Sequence, residues 1–373
     1  MTKLFCDQVQ SQVLDIHPYI PGKPVSELQR ELGLSSVVKL ASNENPLGAS
    51  KHALAAINRE LVNIARYPDG EAFELIKVLA DFNHVEANQV AIGNGSNEVL
   101  ELVARVFSGP GNEIIYSQYA FAVYPISTQV VGASGVEVPA KNWGHDLTAM
   151  LAAITDKTKV IYIANPNNPT GTFFTKQEWD AFISQVPEHI IVVLDEAYLE
   201  YAASFIEAEQ HFNGCDYLAQ YSNLLVTRTF SKAYGLASLR VGYILGNAEV
   251  ISYINQVREP FNVNQFAQVA AIEALNDQAF VDESVKLNHC GMRQLTDACQ
   301  RLGLEYIASV GNFICIDFGE QAMAVNQQLL QQGVIVRPVA NYGMTHHLRV
   351  SVGTQVENSA FIDAIKIILK SLD

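Results

Sequence analysis

The chain has 373 residues, of which 49% are apolar and 17% are charged, and its formal net charge is −15. A chain of this length and composition can form two domains with large cores, and its acidic balance argues against a nucleic-acid partner. No run of about 18 apolar residues is present, and Met1 to Gln12 contains no apolar signal core, so we expect neither a membrane span nor export.

The five cysteines are scattered along the chain, and no two of them form a CxxC pair. This odd, dispersed set is typical of reduced cysteines in the cytoplasm and not of a disulfide framework. The nine histidines include no HExxH pattern, so we expect no catalytic metal. We find no internal repeat.

The N-terminal segment His17–Pro24 contains three prolines and a glycine, which predicts an extended arm that packs on its own body or on a partner subunit. Tyr19 on this arm is either a packing anchor or a substrate contact. A polar turn at Leu40–Gly48 follows a short strand. Lys51–Ile64 is a predicted helix that ends in the Pro-Asp-Gly turn at Arg66–Gly70.

A strand, a glycine loop and a helix are predicted at Gln89–Ile92, Gly93–Glu98 and Val99–Phe107. Free N–H groups at the start of such a helix can hold an anion such as phosphate. The loop matches neither GxGxxG nor a P-loop, so an ordinary strand-to-helix turn explains it equally well.

The middle of the chain alternates short apolar strands with helical segments. Strands are predicted at Glu113–Ser117, Lys159–Ala164 and Ile190–Asp195, with a helix at Lys176–Val186. This alternation predicts an α/β fold whose mostly parallel sheet is covered on both faces. Ligands of such sheets bind at the carboxyl ends of the strands.

Three polar motifs follow directly after predicted strands. They are Asn165–Gly171, Asp195–Tyr198 and Lys232, which follows the strand that begins at Leu225. Ser-Lys alone fits a turn residue, but a lysine desolvated by apolar neighbours can lose its proton and attack a carbonyl group. The shared placement of the three motifs predicts a single site.

Beyond the strand at Val241–Leu245 the pattern changes to a long helical stretch at Asn264–Leu302, broken near Asn276. Short strands and helices then follow to the C-terminus, which predicts a smaller α+β domain. We predict an N-terminal arm over residues 1–45, a large cofactor-binding domain over 46–262 and a small domain over 263–373. The later predicted elements are the strands Asn312–Phe318, Val334–Val336 and Leu348–Val352, the helix Ala322–Gln332 and a final helix that ends at Leu372.

The motifs Asn-Asn-Pro-Thr-Gly, Asp-Glu-Ala-Tyr and Ser-Lys-x7-Arg, which ends at Arg240, occur in one order at fitting distances. Over nearly its whole length the chain resembles the class I/II aminotransferases, which are fold-type I pyridoxal-phosphate enzymes. The resemblance implies a large domain with a mostly parallel seven-stranded sheet, a smaller α+β C-terminal domain, and pyridoxal 5'-phosphate as cofactor.

The resemblance implies three catalytic residues. Lys232 would bond to the cofactor aldehyde and later move a proton, and Asp195 would keep the pyridine nitrogen protonated, since an opposite charge favours the charged form. Tyr198 and Asn168 would donate hydrogen bonds to the ring phenolate. Arg240 would clamp the phosphate bidentately.

Further cofactor contacts are implied by the same resemblance. Phe121 would stack on the ring, with Tyr124 as a lesser candidate for that contact. Tyr67 would reach the phosphate of the neighbouring subunit, which predicts a homodimer with shared active sites. The phosphate cup would be completed by Gly95, Ser96, Asn97, Thr229 and Ser231.

Two arginines amid apolar strand residues, Arg337 and Arg349, suit a phosphate dianion. With the Tyr19 and Asn45 segments, which would line the substrate pocket, the chain resembles the histidinol-phosphate aminotransferases. That family interconverts histidinol phosphate plus 2-oxoglutarate with imidazole-acetol phosphate plus glutamate in histidine biosynthesis. Ser238 departs from the glycine usual in the family and would crowd the phosphate loop slightly.

Three alternatives stay open at this point. The chain also resembles aromatic or broad-range aminotransferases and threonine-phosphate decarboxylases, in which CO₂ leaves and no second keto acid is consumed. A regulator that binds the cofactor without catalysis has less support, because no additional DNA-binding segment is present.

Overall fold

A computed structural model describes residues 8–16, 18 and 22–372. Within them the strands are β1 (Val38–Lys39), β2 (Val90–Gly93), β3 (Glu113–Ser117), β4 (Ser134–Val138), β5 (Thr158–Ala164), β6 (Ile191–Asp195), β7 (Leu224–Thr229), β8 (Gly242–Gly246), β9 (Tyr306–Ile307), β10 (Phe313–Asp317), β11 (Val334–Ile335), β12 (Arg337–Pro338) and β13 (His347–Ser351).

The helices of the same residues are α1 (Ser11–Leu14), α2 (Val25–Leu32), α3 (Lys51–Glu60), α4 (Phe73–Asn83), α5 (Ser96–Phe107), α6 (Val123–Val130), α7 (Leu147–Ala152), α8 (Lys176–Ile183), α9 (Leu199–Ala202), α10 (Ala248–Val257), α11 (Gln265–Asn276), α12 (Gln278–Leu302), α13 (Ala322–Gln331) and α14 (Gln355–Leu372). Short 3-10 turns lie at Leu61–Asn63, Ala87–Gln89, Gly214–Tyr217, Ala237–Leu239, Gly319–Gln321 and Ala340–Tyr342. None of these helices is both long and apolar enough to cross a membrane.

The central sheet has the strand order β2-β8-β7-β6-β5-β3-β4. Strand β8 is antiparallel to both of its neighbours, and the other neighbouring pairs are parallel. Ala164, Asp195 and Thr227 lie side by side in the register of β5, β6 and β7. The carboxyl ends of these three strands therefore bring their following loops to one edge of the sheet.

Both faces of this sheet are buried. In β5, Ile161 and Ile163 belong to one core, whereas Val160 and Tyr162 belong to the other, as the period-2 alternation of a strand requires. Helices α3, α4, α7, α8 and α11 contribute to the first core, and α5, α6 and α10 contribute to the second.

The C-terminal part forms a second unit around the antiparallel sheet β12-β13-β10-β9. Its core joins Leu295 of α12, Leu348 of β13 and Ile365 of α14. Strand β1 pairs in parallel with β11, with Val38 opposite Val334. The last part of the predicted N-terminal arm, residues 1–45, is therefore hydrogen-bonded to the C-terminal unit.

The domain boundary predicted from the sequence places helix α11 outside the large domain. In the structure, however, α11 packs on α3 and α4 of that domain. Ala267 and Ala271 of α11 are buried in the first sheet core. Helix α12 spans both units, because Val281 belongs to the first sheet core and Met292 to the C-terminal core. We therefore propose that the boundary between the domains lies within α12 and not at residue 263.

Several elements were not among the predictions from the sequence, among them α2, α4, α7, α10 and β4. Strand β4 is at the edge of the sheet, and Ser134 and Gly135 are exposed, so its apolar pattern is weak. Of the predicted extended arm His17–Pro24, His17 and residues 19–21, which include Tyr19, lie outside the described residues.

Candidate active site

A cavity of about 200 Å³ lies at the carboxyl ends of the central strands. Side chains from the large unit and from the C-terminal unit line it together. Twelve of the predicted site residues line this cavity: Ser96, Asn97, Phe121, Asn168, Asp195, Tyr198, Thr229, Ser231, Lys232, Arg240, Arg337 and Arg349.

Lys232 lies three positions beyond the end of β7. Its Nζ donates to the carbonyl oxygen of Ser42 at 3.2 Å and lies 5.6 Å from the centre of the Tyr198 ring. The pKa of Lys232 is lowered to about 7, chiefly because burial disfavours the ammonium form and also because Arg349 and Arg240 are nearby. At neutral pH a large fraction of this amine is therefore uncharged and nucleophilic.

Asp195 is the last residue of β6 and is buried. The Tyr124 hydroxyl donates to its Oδ2 at 2.8 Å, and the N–H of Ala197 donates to its Oδ1 at 3.2 Å. Burial raises the pKa of Asp195 to about 6, while these donors oppose that shift. At pH 7 the group is mostly a carboxylate, able to pair with a cationic ring nitrogen.

Tyr124 has a contact that the sequence analysis missed. It was considered only for stacking on a ligand ring, but its own ring stacks on Tyr162 with centroids 4.8 Å apart, and its hydroxyl reaches Asp195. Phe121 lines the cavity and meets Tyr124 edge-on. Phe121 lies just before α6 and Tyr124 in its first turn, so their contact is local, whereas no local signal in the sequence links Tyr124 to Asp195.

Hydrogen bonds converge on the hydroxyl of Tyr198. It accepts from Nδ2 of Asn168 at 3.2 Å and from Nδ2 of Asn43 at 3.0 Å. Burial raises the pKa of Tyr198 to about 12, so the phenol stays protonated at neutral pH. Asn43 was absent from the predicted site, although it lies in the same sequence motif as Asn45.

Asn45 is a correction to the predicted substrate pocket. Its Nδ2 donates to the carbonyl oxygen of Ala233 and to Ser284, each at 2.8 Å, and its Oδ1 accepts from the N–H of Leu47. Because these bonds occupy both ends of the amide, Asn45 braces the loop that carries Lys232 and does not line the cavity.

An anion cradle lies at the start of α5. Arg240 donates from Nη1 to Ser231 Oγ at 3.2 Å, and a Cβ built on Gly95 would lie 2.3 Å from Arg240 Nη2. Gly95 also has φ +84°, so glycine is required there both for the backbone and for the approach of the guanidinium. With the N–H groups of Ser96 and Asn97, this arrangement suits a phosphate.

Ser238 does not crowd this cradle. It lies in the 3-10 turn Ala237–Leu239, its side chain is exposed, and it does not line the cavity. The expected steric effect of the extra hydroxymethyl group was therefore wrong.

Arg337 and Arg349 are directly opposite each other on β12 and β13. Both are buried and line the cavity. Arg349 donates to Asn168 Oδ1 and to the carbonyl oxygen of Ala41, while its buried Nε finds no acceptor among the described residues. A second cavity of about 820 Å³ adjoins the first through Gly22, Arg337 and Tyr342, which leaves room for an elongated substrate.

Tyr67 lies outside the cavity, with 83% of its surface exposed, and stacks on Phe261 with ring centroids 4.8 Å apart. Within the described part of the chain, no group of three or more His, Cys, Asp or Glu side chains is arranged to hold a metal ion.

Comparison with known proteins gives concordant results. The sequence model of the family "aminotransferase class I and II" matches residues 35–365. A histidinol-phosphate aminotransferase 2 of Hydrogenovibrio crunogenus is 59% identical over 99% of this chain and 98% of its own. One from Pseudomonas aeruginosa is 55% identical over 97% of both chains.

A crystal structure of histidinol-phosphate aminotransferase from Sinorhizobium meliloti in complex with pyridoxal-5'-phosphate superposes with a TM-score of 0.89. The two chains are 26% identical, and the match covers 98% of each. The predicted fold-type I architecture is thereby confirmed. The match of the family sequence model over most of the chain, and these identities over nearly full length, establish that the chain belongs to the class I and II aminotransferases.

Proposed function

We propose that the protein is a pyridoxal-phosphate-dependent transaminase that interconverts histidinol phosphate plus 2-oxoglutarate with imidazole-acetol phosphate plus glutamate, a step of histidine biosynthesis. The observation that carries this proposal is one cavity that holds a lysine with a lowered pKa, a buried aspartate and two adjacent arginines. Both curated relatives described above are named for this activity.

The donors and charges of the cavity fit pyridoxal phosphate. Asp195 would face the ring nitrogen, Tyr198 and Asn168 the ring oxygen, and the cradle around Arg240 and Ser231 the phosphate. When bound, this cofactor withdraws electrons from the carbon that carries the transferred amino group.

The protein's own residues divide the remaining work. Nζ of Lys232 would first hold the cofactor and, once displaced by the substrate amine, carry a proton between the substrate carbon and the cofactor carbon. The pKa of Lys232, about 7, suits this proton transfer, since a group with a pKa near the operating pH both accepts and releases a proton readily. The carboxylate of Asp195 would keep the ring nitrogen cationic.

Arg337 and Arg349 would hold the phosphate of one substrate and the carboxylate of the other. Guanidinium groups bind such anions through two parallel hydrogen bonds. Because the two arginines are neighbours on adjacent strands, both could contact one dianion.

We also propose a homodimer with shared active sites. Residues 61–73 carry several exposed apolar side chains, namely Leu61, Val62, Ile64, Tyr67 and Phe73, and the exposed Phe261 stacks on Tyr67. Large exposed apolar side chains near one another are typical of a protein interface. Through it, the partner subunit's Tyr67 would reach the cofactor phosphate. The proposed location is the cytoplasm, where the free thiols of Cys215, Cys290, Cys299 and Cys315 would stay reduced.

The proposed reaction predicts that purified protein with histidinol phosphate and 2-oxoglutarate forms glutamate in equal amount to the substrate consumed, without CO₂. Phenylalanine as amino donor is the comparison, and we expect it to be poorer because it offers no phosphate to Arg337. Release of CO₂ would indicate a decarboxylase, and equal rates with phenylalanine would indicate a broad-range aminotransferase.

The lowered pKa of Lys232 predicts how cofactor capture depends on pH. Only the uncharged amine attacks an aldehyde, so the rate at which the cofactor-free protein bonds to pyridoxal phosphate should rise with pH around 7 and level off above roughly pH 8. The reaction is measured by the visible absorbance of the lysine-bound cofactor. Lys232→Ala should abolish this absorbance, whereas Lys366→Ala, at an exposed lysine, should leave it unchanged. A rate that still climbs toward pH 10 would show an ordinary lysine.

Arg337→Ala should lower kcat/KM for histidinol phosphate by about 10- to 100-fold, the effect of losing charged hydrogen bonds to an anion, and should affect glutamate much less. Arg337→Lys keeps the charge but loses the bidentate geometry, so its kcat/KM for histidinol phosphate should lie between that of the unaltered protein and that of Arg337→Ala. The two half-reactions are measured separately by single-turnover absorbance. Equal losses for both substrates would favour a plain amino-acid transaminase.

The proposed shared site predicts that the protein sediments as a dimer. It also predicts that Tyr67→Ala lowers the affinity for pyridoxal phosphate by about tenfold or more. Tyr67→Phe keeps the ring on Phe261 and isolates the hydroxyl. In hybrids of Tyr67→Ala with Lys232→Ala, one site carries both defects and the other carries none. Half of the sites should then regain activity, and hybrids without activity would contradict sharing.

A further inference from the structure

Asn43 is a buried residue to which the proposed reaction gives no role so far. It lies in the left-handed region with φ 55°, a conformation that asparagine tolerates better than most residues. Its backbone N–H donates to Ser351 Oγ at 2.8 Å, and its carbonyl oxygen accepts from Asn312 at 3.0 Å. These bonds anchor Asn43 to the C-terminal unit while its side chain reaches Tyr198 of the large unit.

The Asn43 amide lies with its oxygen toward Ser351 and its nitrogen toward Tyr198. The hydroxyl of Ser351 accepts from the Asn43 N–H and donates to Asn43 Oδ1 at 2.9 Å. The other end of the amide, Nδ2, faces Tyr198 at 3.0 Å. Asn43 is a hydrogen-bond donor to the phenol and cannot be its acceptor in this orientation.

Asn168 is oriented in the same sense from the other side. Its Oδ1 accepts from the guanidinium of Arg349, which has no acceptor to offer, so its Nδ2 faces Tyr198. A phenol oxygen accepts hydrogen bonds through its lone pairs and has a single hydrogen to donate. With both amides donating to that oxygen, the hydrogen of Tyr198 must point away from both of them.

We propose that Asn43 is a positioning residue that, together with Asn168, turns the O–H of Tyr198 into the cavity, where it can donate to an anionic ring oxygen. The inference rests on the proposed function, since the anionic oxygen belongs to the cofactor. A donor to that oxygen stabilises its anionic form and so lowers the pH at which the lysine-bound cofactor loses the proton it shares with that oxygen.

Asn43→Asp tests the direction of the hydrogen bond. The side chain keeps its shape, but a carboxylate only accepts, so the Tyr198 O–H should turn toward residue 43 and away from the cofactor. We expect the pH midpoint of the visible absorbance of lysine-bound pyridoxal phosphate to rise by about one unit, the size expected for a lost hydrogen bond to a charged group. Asn43→Gly tolerates the positive φ, removes the amide, and should raise the midpoint by less.

A double-mutant cycle with Tyr198→Phe separates this effect from the added charge and from general damage. If Asn43 acts through Tyr198, Asn43→Asp should shift the midpoint by less than about 0.3 unit in the Tyr198→Phe background. Equal shifts in both backgrounds, or no shift in Asn43→Asp, would overturn the inference. If Asn43→Asp does not fold, the same cycle is run with Asn43→Gly.

The unaltered protein distinguishes the two levels of failure. If pyridoxal phosphate produces no visible band with it, the proposed function fails and the role of Asn43 fails with it. A normal band whose midpoint is insensitive to Asn43 overturns the inference alone.

Discussion

The structure depends on the removal of two ionisable groups from water at the same edge of a sheet. Burial raises the pKa of Asp195 to about 6 and lowers the pKa of Lys232 to about 7, so both groups titrate near neutrality although their ordinary values are far apart. At neutral pH the protonated and deprotonated forms of each group therefore differ little in free energy. A proton can therefore be given or taken at Lys232, while Asp195 stays mostly ionised because Tyr124 and the Ala197 N–H donate to it.

The ends of the two strands that carry these groups are held together by a buried ion pair. Nη2 of Arg228 on β7 donates to Glu196 Oε2 at 2.8 Å, directly after Asp195, and Nη1 of Arg228 reaches Asn83 of α4. Glu196 also accepts from the N–H of Gly214. A buried ion pair contributes little net stability, but separating its partners leaves a buried charge unpaired, which is costly. The two side chains are therefore held together. The pair therefore links the ends of β6 and β7, whose register places Asp195 and the Lys232 loop at one cavity.

Much of this arrangement could be predicted from local patterns, because strand periodicity and the polar motifs that follow strands are read within a few residues. The hydrogen-bond partners of the site residues could not be predicted in this way. Tyr124 and Asp195 are 71 positions apart, and Asn43 and Tyr198 are 155 apart, so no local pattern links them. Asn43 and Asn45 belong to one motif, and nothing in that pattern shows that Asn43 donates to Tyr198 whereas Asn45 donates to Ala233 and Ser284. Edge strand β4 was missed because only one of its faces, and little of that, is buried.

In the proposed reaction the two arginines would connect substrate binding to proton transfer. Arg337 and Arg349 are directly opposite each other on neighbouring strands, and because like charges so placed repel, an anion held between them would be favourable. Arg349 is also the largest charged contributor to the lowered pKa of Lys232. A bound phosphate or carboxylate would offset the positive charge of Arg349 and so raise the proton affinity of Lys232. The amine is then least basic when the cavity is empty, which favours capture of an aldehyde, and more basic once an anionic substrate is bound, which favours removal of a proton from it.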